Sequence, residues 1–427
     1  MRDGAARAAG ARQAVGVVYD LGAAGPAELA AAARTCGAEL FLVVDAASEH
    51  VRRLLPVLRK RFALCEVTGL GEDRAAAAVA AFAPGGLLTF SEHRMEATAA
   101  LAATLGLRHW HSPEVTRRLV DKLEQRRSLA AAGLDGPPFA VARTPGELPG
   151  ALGAVGLPAV LKPRRGTGSR LVRRVDGAAE ARAAAAEFFA AAPGTDLLVE
   201  GFLAGDAAGA GREWGDYVSV ETAVHEGVCH PLCVAGKFPL VRPFRERGSF
   251  VPHTLDPALA ARARALAEAA IAALGVRDGV VHTELKLTRD GPRLIEVNGR
   301  LGGLIGAIVR RGSGVDLVAA AVRLALGLPV RDTPRFDGVA YQYALLPRAG
   351  PSGGADGRVG AAELERLRAL PGVDLVDPRP GAGSAASWRE GAGARLGHLH
   401  GWTADHADLA RLTRAIDDIC RPVFGEM

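Results

Sequence analysis

Cysteine is scarce in this chain of 427 residues. There are five, an odd number, spread without a framework. That argues against a disulfide-built extracellular scaffold and fits a reducing cytoplasm. Cys229 and Cys233 lie near His225 and His230, but the spacing is too loose for a zinc site. The segment reads instead as a hairpin, with strands Tyr217–Val224 and Val228–Ala235 about the turn His225-Glu226-Gly227. On it the two thiols are expected to face one side as small buried hydrophobes. Long apolar runs are missing too. The nearest, Ala75–Phe90, is interrupted by Pro84, Gly85 and Gly86, so no membrane partner is expected. The first dozen residues hold three arginines and no apolar core. They read as a frayed tail and not as a signal peptide, which leaves a cytoplasmic location. Blocks of one charge are absent. The formal net charge is +5, with arginines scattered along helices, so no nucleic-acid partner is expected. No GxGxxG follows the first strand, where Asp20-Leu21-Gly22-Ala23-Ala24-Gly25 stand, so no dinucleotide site is inferred. Internal repeats are absent as well.

What is present is ordinary globular composition, 49% hydrophobic and 23% charged. The abundance of Ala, Gly and Arg looks like coding bias. The length suits two or three domains. Short apolar strands at Val15–Tyr19, Glu39–Val44, Ala63–Val67 and Gly86–Phe90 alternate with helices at Pro26–Cys36, Ser48–Arg61 and Glu72–Phe82. That alternation predicts a doubly wound parallel sheet, an α/β class that binds ligands at the C-terminal ends of its strands. Ser91-Glu92 closes the fourth strand and could face a substrate, although a helix cap explains both residues equally well. A helix is then expected from Ser112-Pro113 through Asp121-Lys122 to Gly133, followed by a linker at Asp135-Gly136-Pro137-Pro138.

After the linker, the strand Pro158–Lys162 leads into Pro163-Arg164-Arg165-Gly166-Thr167-Gly168-Ser169, and a second strand follows. A leading lysine and a glycine loop between strands suit a phosphate, with backbone amides cradling it and Lys162 supplying a point charge. This is not the P-loop pattern, because no helix carries GK[ST]. A surface hairpin would look the same. The loop Phe238–Pro252 holds Arg242, Arg245, Glu246 and Arg247, and its length without evident structure marks it as functional or mobile.

The most informative stretch is Val280–Gly303. It reads as two strands about a three-residue loop, Arg289-Asp290-Gly291. Alternation places His282, Glu284 and Lys286 on one face of the first strand. It places Leu294, Glu296 and Asn298 on one face of the second, with Ile295 and Val297 opposite. Glu284 then faces Glu296, and His282 faces Asn298. Opposed carboxylates destabilise a bare sheet. Two Glu and one Asn make an all-oxygen set suited to a hard cation, Mg²⁺ in the usual case. Arg300, directly after, suits a phosphoryl or carboxylate group. One helix, Val315–Leu326, is expected behind the hairpin. From Val339 to Met427 short strands alternate with helices near Ala361–Leu370 and Ala404–Cys420.

These residues resemble the ATP-grasp superfamily, in particular its carboxylate–amine ligases of the L-amino-acid (dipeptide) ligase type. The resemblance covers nearly the whole chain in order. It rests on Asp121-Lys122, Lys162-Pro163 through Gly168-Ser169, Val199-Glu200-Gly201-Phe202-Leu203, Glu284, Glu296-Val297-Asn298-Gly299-Arg300 and Gly302-Gly303. Two features depart from the family pattern. Ser169-Arg170-Leu171-Val172 lacks the usual glycine after Ser-x, and Asp216 falls one position early for a ribose contact.

The resemblance implies an ATP-grasp fold, α/β with α+β character in its C-terminal part. Residues 1–111 would be the N-terminal parallel-sheet domain. Residues 112–203 would be a linker helix and small ATP-binding lobe, and 204–427 the large antiparallel-sheet lobe with an α/β extension. It implies ATP bound by Lys122, Lys162, Gly166, Gly168, Ser169 and Lys286, with adenine on Glu200, Phe202 and Leu203. One or two Mg²⁺, with Mn²⁺ able to substitute, would sit on Glu284, Glu296 and Asn298. Arg300 and Lys162 would carry catalysis. A carboxylate, of an amino acid in the first instance, becomes an acyl phosphate that an amine attacks, with ADP and phosphate released. The implied partners are small molecules, and a homodimer is admitted. Two rival readings stay open at this point: a biotin-carboxylase-like carboxylase and a non-catalytic nucleotide-binding scaffold.

Overall fold

The computed structural model describes residues 12–134, 136–242, 244–330, 332–346, 359–379, 391–393 and 395–424. Residues 1–11 of the expected tail lie outside these, as do Asp135 of the linker, Pro243 of the arginine-rich loop and parts of the C-terminal stretch.

Strands β1 (Ala14–Tyr19), β2 (Glu39–Val44), β3 (Ala63–Glu66) and β4 (Pro84–Leu88) form a parallel sheet in the order β3-β2-β1-β4. Helices α1 (Pro26–Thr35), α2 (Glu49–Arg61), α3 (Glu72–Ala80) and α4 (Met95–Thr104) connect and cover it. Val15, Val17 and Leu42 enter one core, and Val18, Phe41 and Val43 enter another on the opposite face. Burial on both faces is why these strands are apolar throughout instead of alternating. The fourth strand starts two residues earlier than expected. A register shift lets Ala14 meet Pro84 while Val15 meets Gly86.

The single helix expected from Ser112 to Gly133 is two helices, α5 (Pro113–Val120) and α6 (Lys122–Ala131). Asp121 breaks them with extended backbone, φ −103° and ψ 104°, and its carboxylate accepts from the amides of Leu123 and Glu124. Aspartate favours this cap over a helix interior. Lys122 is thereby the first residue of a helix.

A small antiparallel sheet follows, β5 (Phe139–Ala142), β6 (Ala159–Pro163), β7 (Arg173–Val175) and β8 (Leu197–Gly201), ordered β5-β8-β6-β7. Helices α7 (Leu148–Val155) and α8 (Ala178–Ala191) share its core.

The third sheet is built from β9 (Tyr217–His225), β10 (Val228–Lys237), β11 (Gly248–Val251), β12 (Gly279–Thr288), β13 (Gly291–Asn298), β14 (Val339–Leu345), β15 (Val373–Pro378) and β16 (Gly397–Thr403). Its order is β13-β12-β9-β10-β11-β14-β16-β15. One face packs on α9 (Pro257–Leu274). The other shares a core with α10 (Ile305–Ser313), α11 (Leu317–Ala325) and the N-terminal sheet. Helices α12 (Ala361–Arg368) and α13 (His406–Phe424) complete the described C-terminal part. Helix α10 was not expected. Gly306 and Gly312 weaken its local helical signal, yet Ile305, Ile308 and Val309 are buried. The cysteine expectation also fails. Leu232 is an extra residue between the pairs Pro231–Thr222 and Cys233–Glu221. That bulge reverses parity, so Cys229 packs toward the α9 core and Cys233 toward the opposite one.

Candidate active site

The pairing at the Val280–Gly303 hairpin puts Glu284 across from Glu296 and His282 across from Asn298, as expected, but by another route. Gly291 pairs with Thr288, so the loop is only Arg289-Asp290. That alone would slip the register by one. Ile295 then forms a bulge between the pairs Leu285–Leu294 and Glu284–Glu296 and restores it. The bulge changes faces as well. Leu294 joins Val297 in the α9 core, whereas Ile295, Glu296 and Asn298 line a cavity.

This cavity, about 530 Å³, lies where the three sheets meet. The small sheet contributes Lys162, the glycine loop from Gly166 to Arg170, and Glu200 through Leu203. The large sheet contributes Glu284, Lys286, Glu296, Asn298 and Arg300, and α6 contributes Lys122 and Arg126. All the expected site residues therefore line one space. The N-terminal sheet reaches it with Leu21, Gly22 and Ala23 after β1 and Phe90, Glu92 and His93 after β4. In the strand order, β1 and β4 flank the topological switch point, where an open parallel sheet leaves its ligand crevice.

The opposed carboxylates are compensated separately. Lys122 Nζ lies 2.8 Å from Glu296 Oε1 and donates to Gly166 O at 2.7 Å. His282 Nε2 lies 3.2 Å from Glu284 Oε1, and its Nδ1 lies 2.6 Å from Oε1 of the fully buried Glu221. Burial disfavours the His282 imidazolium, but Glu221 and Glu284 outweigh it and raise its pKa to about 9. His282 and Lys122 thus compensate one acid each, so the pair does not by itself demand a metal. Among the described residues, no three His, Cys, Asp or Glu side chains are grouped to hold one. The expected set of two Glu and one Asn is of a different kind.

Lys162 and Glu200 form a second compensated unit. Lys162 Nζ is 2.8 Å from Glu200 Oε2, and Arg126 Nε is 2.7 Å from Oε1. Burial raises the Glu200 pKa, yet the charges of Arg126 and Lys162 prevail and bring it to about 2. Lys162 shifts down, because burial and the neighbouring Arg126 together outweigh Glu200. The Glu200 carboxylate is thus engaged by two cations. Lys286 pairs with Asp216 at 2.6 Å. Arg300 Nε donates to Glu92 Oε2 at 2.9 Å, and Nη2 donates to Asn298 Oδ1 at 3.3 Å. Glu92 is therefore the partner of Arg300, while the Ser91 hydroxyl makes no capping bond.

No family model matches the chain. Over 192 residues, 42% of the chain, it is 36% identical to carnosine synthase 1 of Gallus gallus. The match spans only 20% of that protein's length. The crystal structure of an L-amino acid ligase from Bacillus licheniformis superposes with a TM-score of 0.74 at 21% identity, covering 96% of this chain and 97% of that one. A carboxyaminoimidazole ribonucleotide synthase from Aspergillus clavatus, solved with ATP, superposes with a TM-score of 0.70 at 18% identity, covering 96% and 99%.

The chain has the ATP-grasp fold. Within it, three features went unseen in the sequence. Arg126 sits one turn after Lys122 on α6, a spacing that shares a helix face and could have drawn attention to it. Gln125 is buried and ties α6 to β13, accepting from Val297 N at 2.9 Å and donating to Val297 O at 2.8 Å. Ile295 enters the cavity only through the bulge, which no local pattern announces. The arginine-rich loop reaches the cavity through residues other than its arginines. Leu240, Phe244 and Glu246 line the cavity. Arg247 instead pairs with Asp417 at 3.1 Å, and Arg245 is buried elsewhere. No helix among the described residues is long and apolar enough to cross a membrane.

Proposed function

We propose that this chain is an ATP-dependent carboxylate–amine ligase acting on an amino-acid carboxylate. One observation carries the reading. Lys122, Lys162, the glycine loop, Arg300 and the oxygen set Glu284, Glu296 and Asn298 converge on one cavity. The likeness to an L-amino acid ligase over almost the whole chain, and to carnosine synthase over part of it, supports this chemistry and an amino-acid substrate. The same reading divides the chain at residues 1–111, 112–203 and 204–427.

A carboxylate oxygen of the substrate attacks the γ-phosphorus of ATP, and ADP leaves. The amine nitrogen then adds to the acyl carbon, phosphate leaves, and the nitrogen loses its proton. Both partners of the first step are anions, so positioning and charge neutralisation do most of the work. Lys122 and Lys162 bind phosphate oxygens, and the amides of Gly166, Gly168 and Ser169 cradle them. The backbone of Gly201, Phe202 and Leu203 holds adenine, with Glu200 fixing Lys162 and Arg126 beneath it. Lys286 contacts phosphate or substrate. Arg300, oriented by Glu92, stabilises the transferring phosphoryl group.

The donor set fits Mg²⁺, because register places three side-chain oxygens from adjacent strands on one cavity wall. Mg²⁺ held there would neutralise phosphate charge. The test measures ADP and phosphate release against a panel of amino-acid pairs, with bicarbonate as a separate arm. Amine-dependent ADP release with at least one pair is expected. Its absence with every pair would overturn the reading, and release dependent on bicarbonate would replace it with a carboxylase.

A further inference from the structure

The glycine loop carries an unusual backbone. Ser169 and Leu171 have φ of +55° and +57°, a region that side chains disfavour. A family-like glycine at 171 would relieve one of them, and this chain lacks it. Such backbone persists only where the surroundings hold it. The contact comes from far along the chain. Ala392 N donates to Gly168 O at 2.8 Å. Gly391 lies against the same loop, with φ +53°. A Cβ there would sit 2.1 Å from Gly168 O and 2.7 Å from Arg170 N. The Arg379 guanidinium donates to Gly393 O, and Arg379 N donates to Leu396 O at 2.8 Å. Leu396 N in turn donates to Leu345 O, also at 2.8 Å, which anchors the turn to the large sheet. Ala392 and Gly393 wall the cavity beside Gly168, Ser169 and Arg170.

We infer that the turn 391–393 is a latch that positions the glycine loop over the cavity, with Gly391 as a positioning residue that lets the two backbones meet. The role in catalysis rests on the function proposed above. There the latch keeps water from the acyl phosphate. Without it, water adds to the acyl carbon, phosphate leaves, and the carboxylate is regenerated with no amide formed.

Two readouts on the full chain test this. The first is tryptic cleavage at Arg170–Leu171, which needs no turnover. Gly391→Ala is expected to speed it by about tenfold, because cleavage follows the population of the open loop. Arg379→Ala removes an anchor without adding atoms. It is expected to raise cleavage less, and Arg379→Lys, which keeps a donor, to restore part of the protection. The second is amide formed per ADP released. That ratio is expected to fall in Gly391→Ala and Arg379→Ala and to recover in Arg379→Lys. Cleavage unchanged in both Gly391→Ala and Arg379→Ala would overturn the latch. Faster cleavage with an unchanged ratio would overturn its part in the reaction. A wild-type chain without amine-dependent turnover would remove that part along with the proposed function, while the cleavage rates would still decide the contact.

Discussion

Replacing Arg126 by methionine tests the buried junction that α6 makes with β8 and β13. Arg126 is 4% exposed and Glu200 5%. The guanidinium donates to both Glu200 oxygens, at 2.7 and 3.2 Å, and to the carbonyls of Leu294 and Ile295, at 3.1 and 2.5 Å. One side chain thus joins α6, β8 and the bulge of β13. Removing one partner of an isolated buried pair costs about 3–5 kcal/mol, and because Lys162 still faces Glu200 at 2.8 Å the loss here falls at the lower end. The Glu200 charge contributes stability of its own, set by Arg126 and Lys162 together against burial. Glu200 titrates at about 2, against roughly 4.3 for an unfolded glutamate, a gap worth about 3 kcal/mol. Because the folded value is depressed, this stability is present above the unfolded value and is lost as pH falls through about 2. Urea denaturation at pH 7 should therefore show Arg126→Met less stable by several kcal/mol. Glu200→Gln should lose about 3 kcal/mol of the wild-type decline in stability between neutral and acid pH, the remainder coming from other depressed carboxylates such as Asp20, Asp121 and Glu284. The double variant should cost less than the sum of the singles, by about 1–3 kcal/mol, since the two groups share one network. A loss below about 1 kcal/mol for Arg126→Met, with the acid decline intact in Glu200→Gln, would refute the junction.

The bulge gives a reversal that simple alternation does not. Leu294→Ala should cost about 2–5 kcal/mol as a core truncation, and Ile295→Ala less than about 1 kcal/mol. Thermal denaturation in the opposite order would mean Leu294 faces the cavity. Glu92→Gln leaves the shape but frees Arg300. A fall in kcat/KM of about 10- to 100-fold is expected, with the circular dichroism spectrum unchanged, and wild-type kinetics would break the link between the two residues. Glu296→Ala should abolish ADP release while the protein stays folded, and near-normal turnover would sink the metal role.

The residues that line the candidate site were legible because side chains keep their identity wherever the chain carries them. Lys162, the glycine loop, Glu284, Glu296, Asn298 and Arg300 could be collected before any element was placed. The parallel sheet was legible too, since burial on both faces leaves an apolar run in the sequence. What stayed hidden was parity. A single extra residue turns every later side chain to the other face, and it leaves no mark in composition. Ile295 and Leu232 are two such residues. One moved Leu294 out of the site and the other separated Cys229 from Cys233.

The register of Glu284 and Glu296 was anticipated only because two departures cancelled, a shorter loop and a bulge. The cancellation has a physical basis. With the two-residue loop and no bulge, Glu296 would fall into the α9 core in the place of Val297, which is fully buried. An uncompensated carboxylate there would cost several kcal/mol, far more than one bulge. The bulge also turns the carbonyls of Leu294 and Ile295 toward Arg126, which bonds both. Core, bulge and Arg126 therefore select the same register, and that register is what brings Glu296 within 2.8 Å of Lys122. The polar pairing seen from the cavity is thus set from the opposite, apolar face of the sheet. A substitution behind the site, such as Val297→Asp, should disorder Glu296 and Asn298 without altering either side chain, which the loss of Glu284–Glu296 register by hydrogen exchange would report.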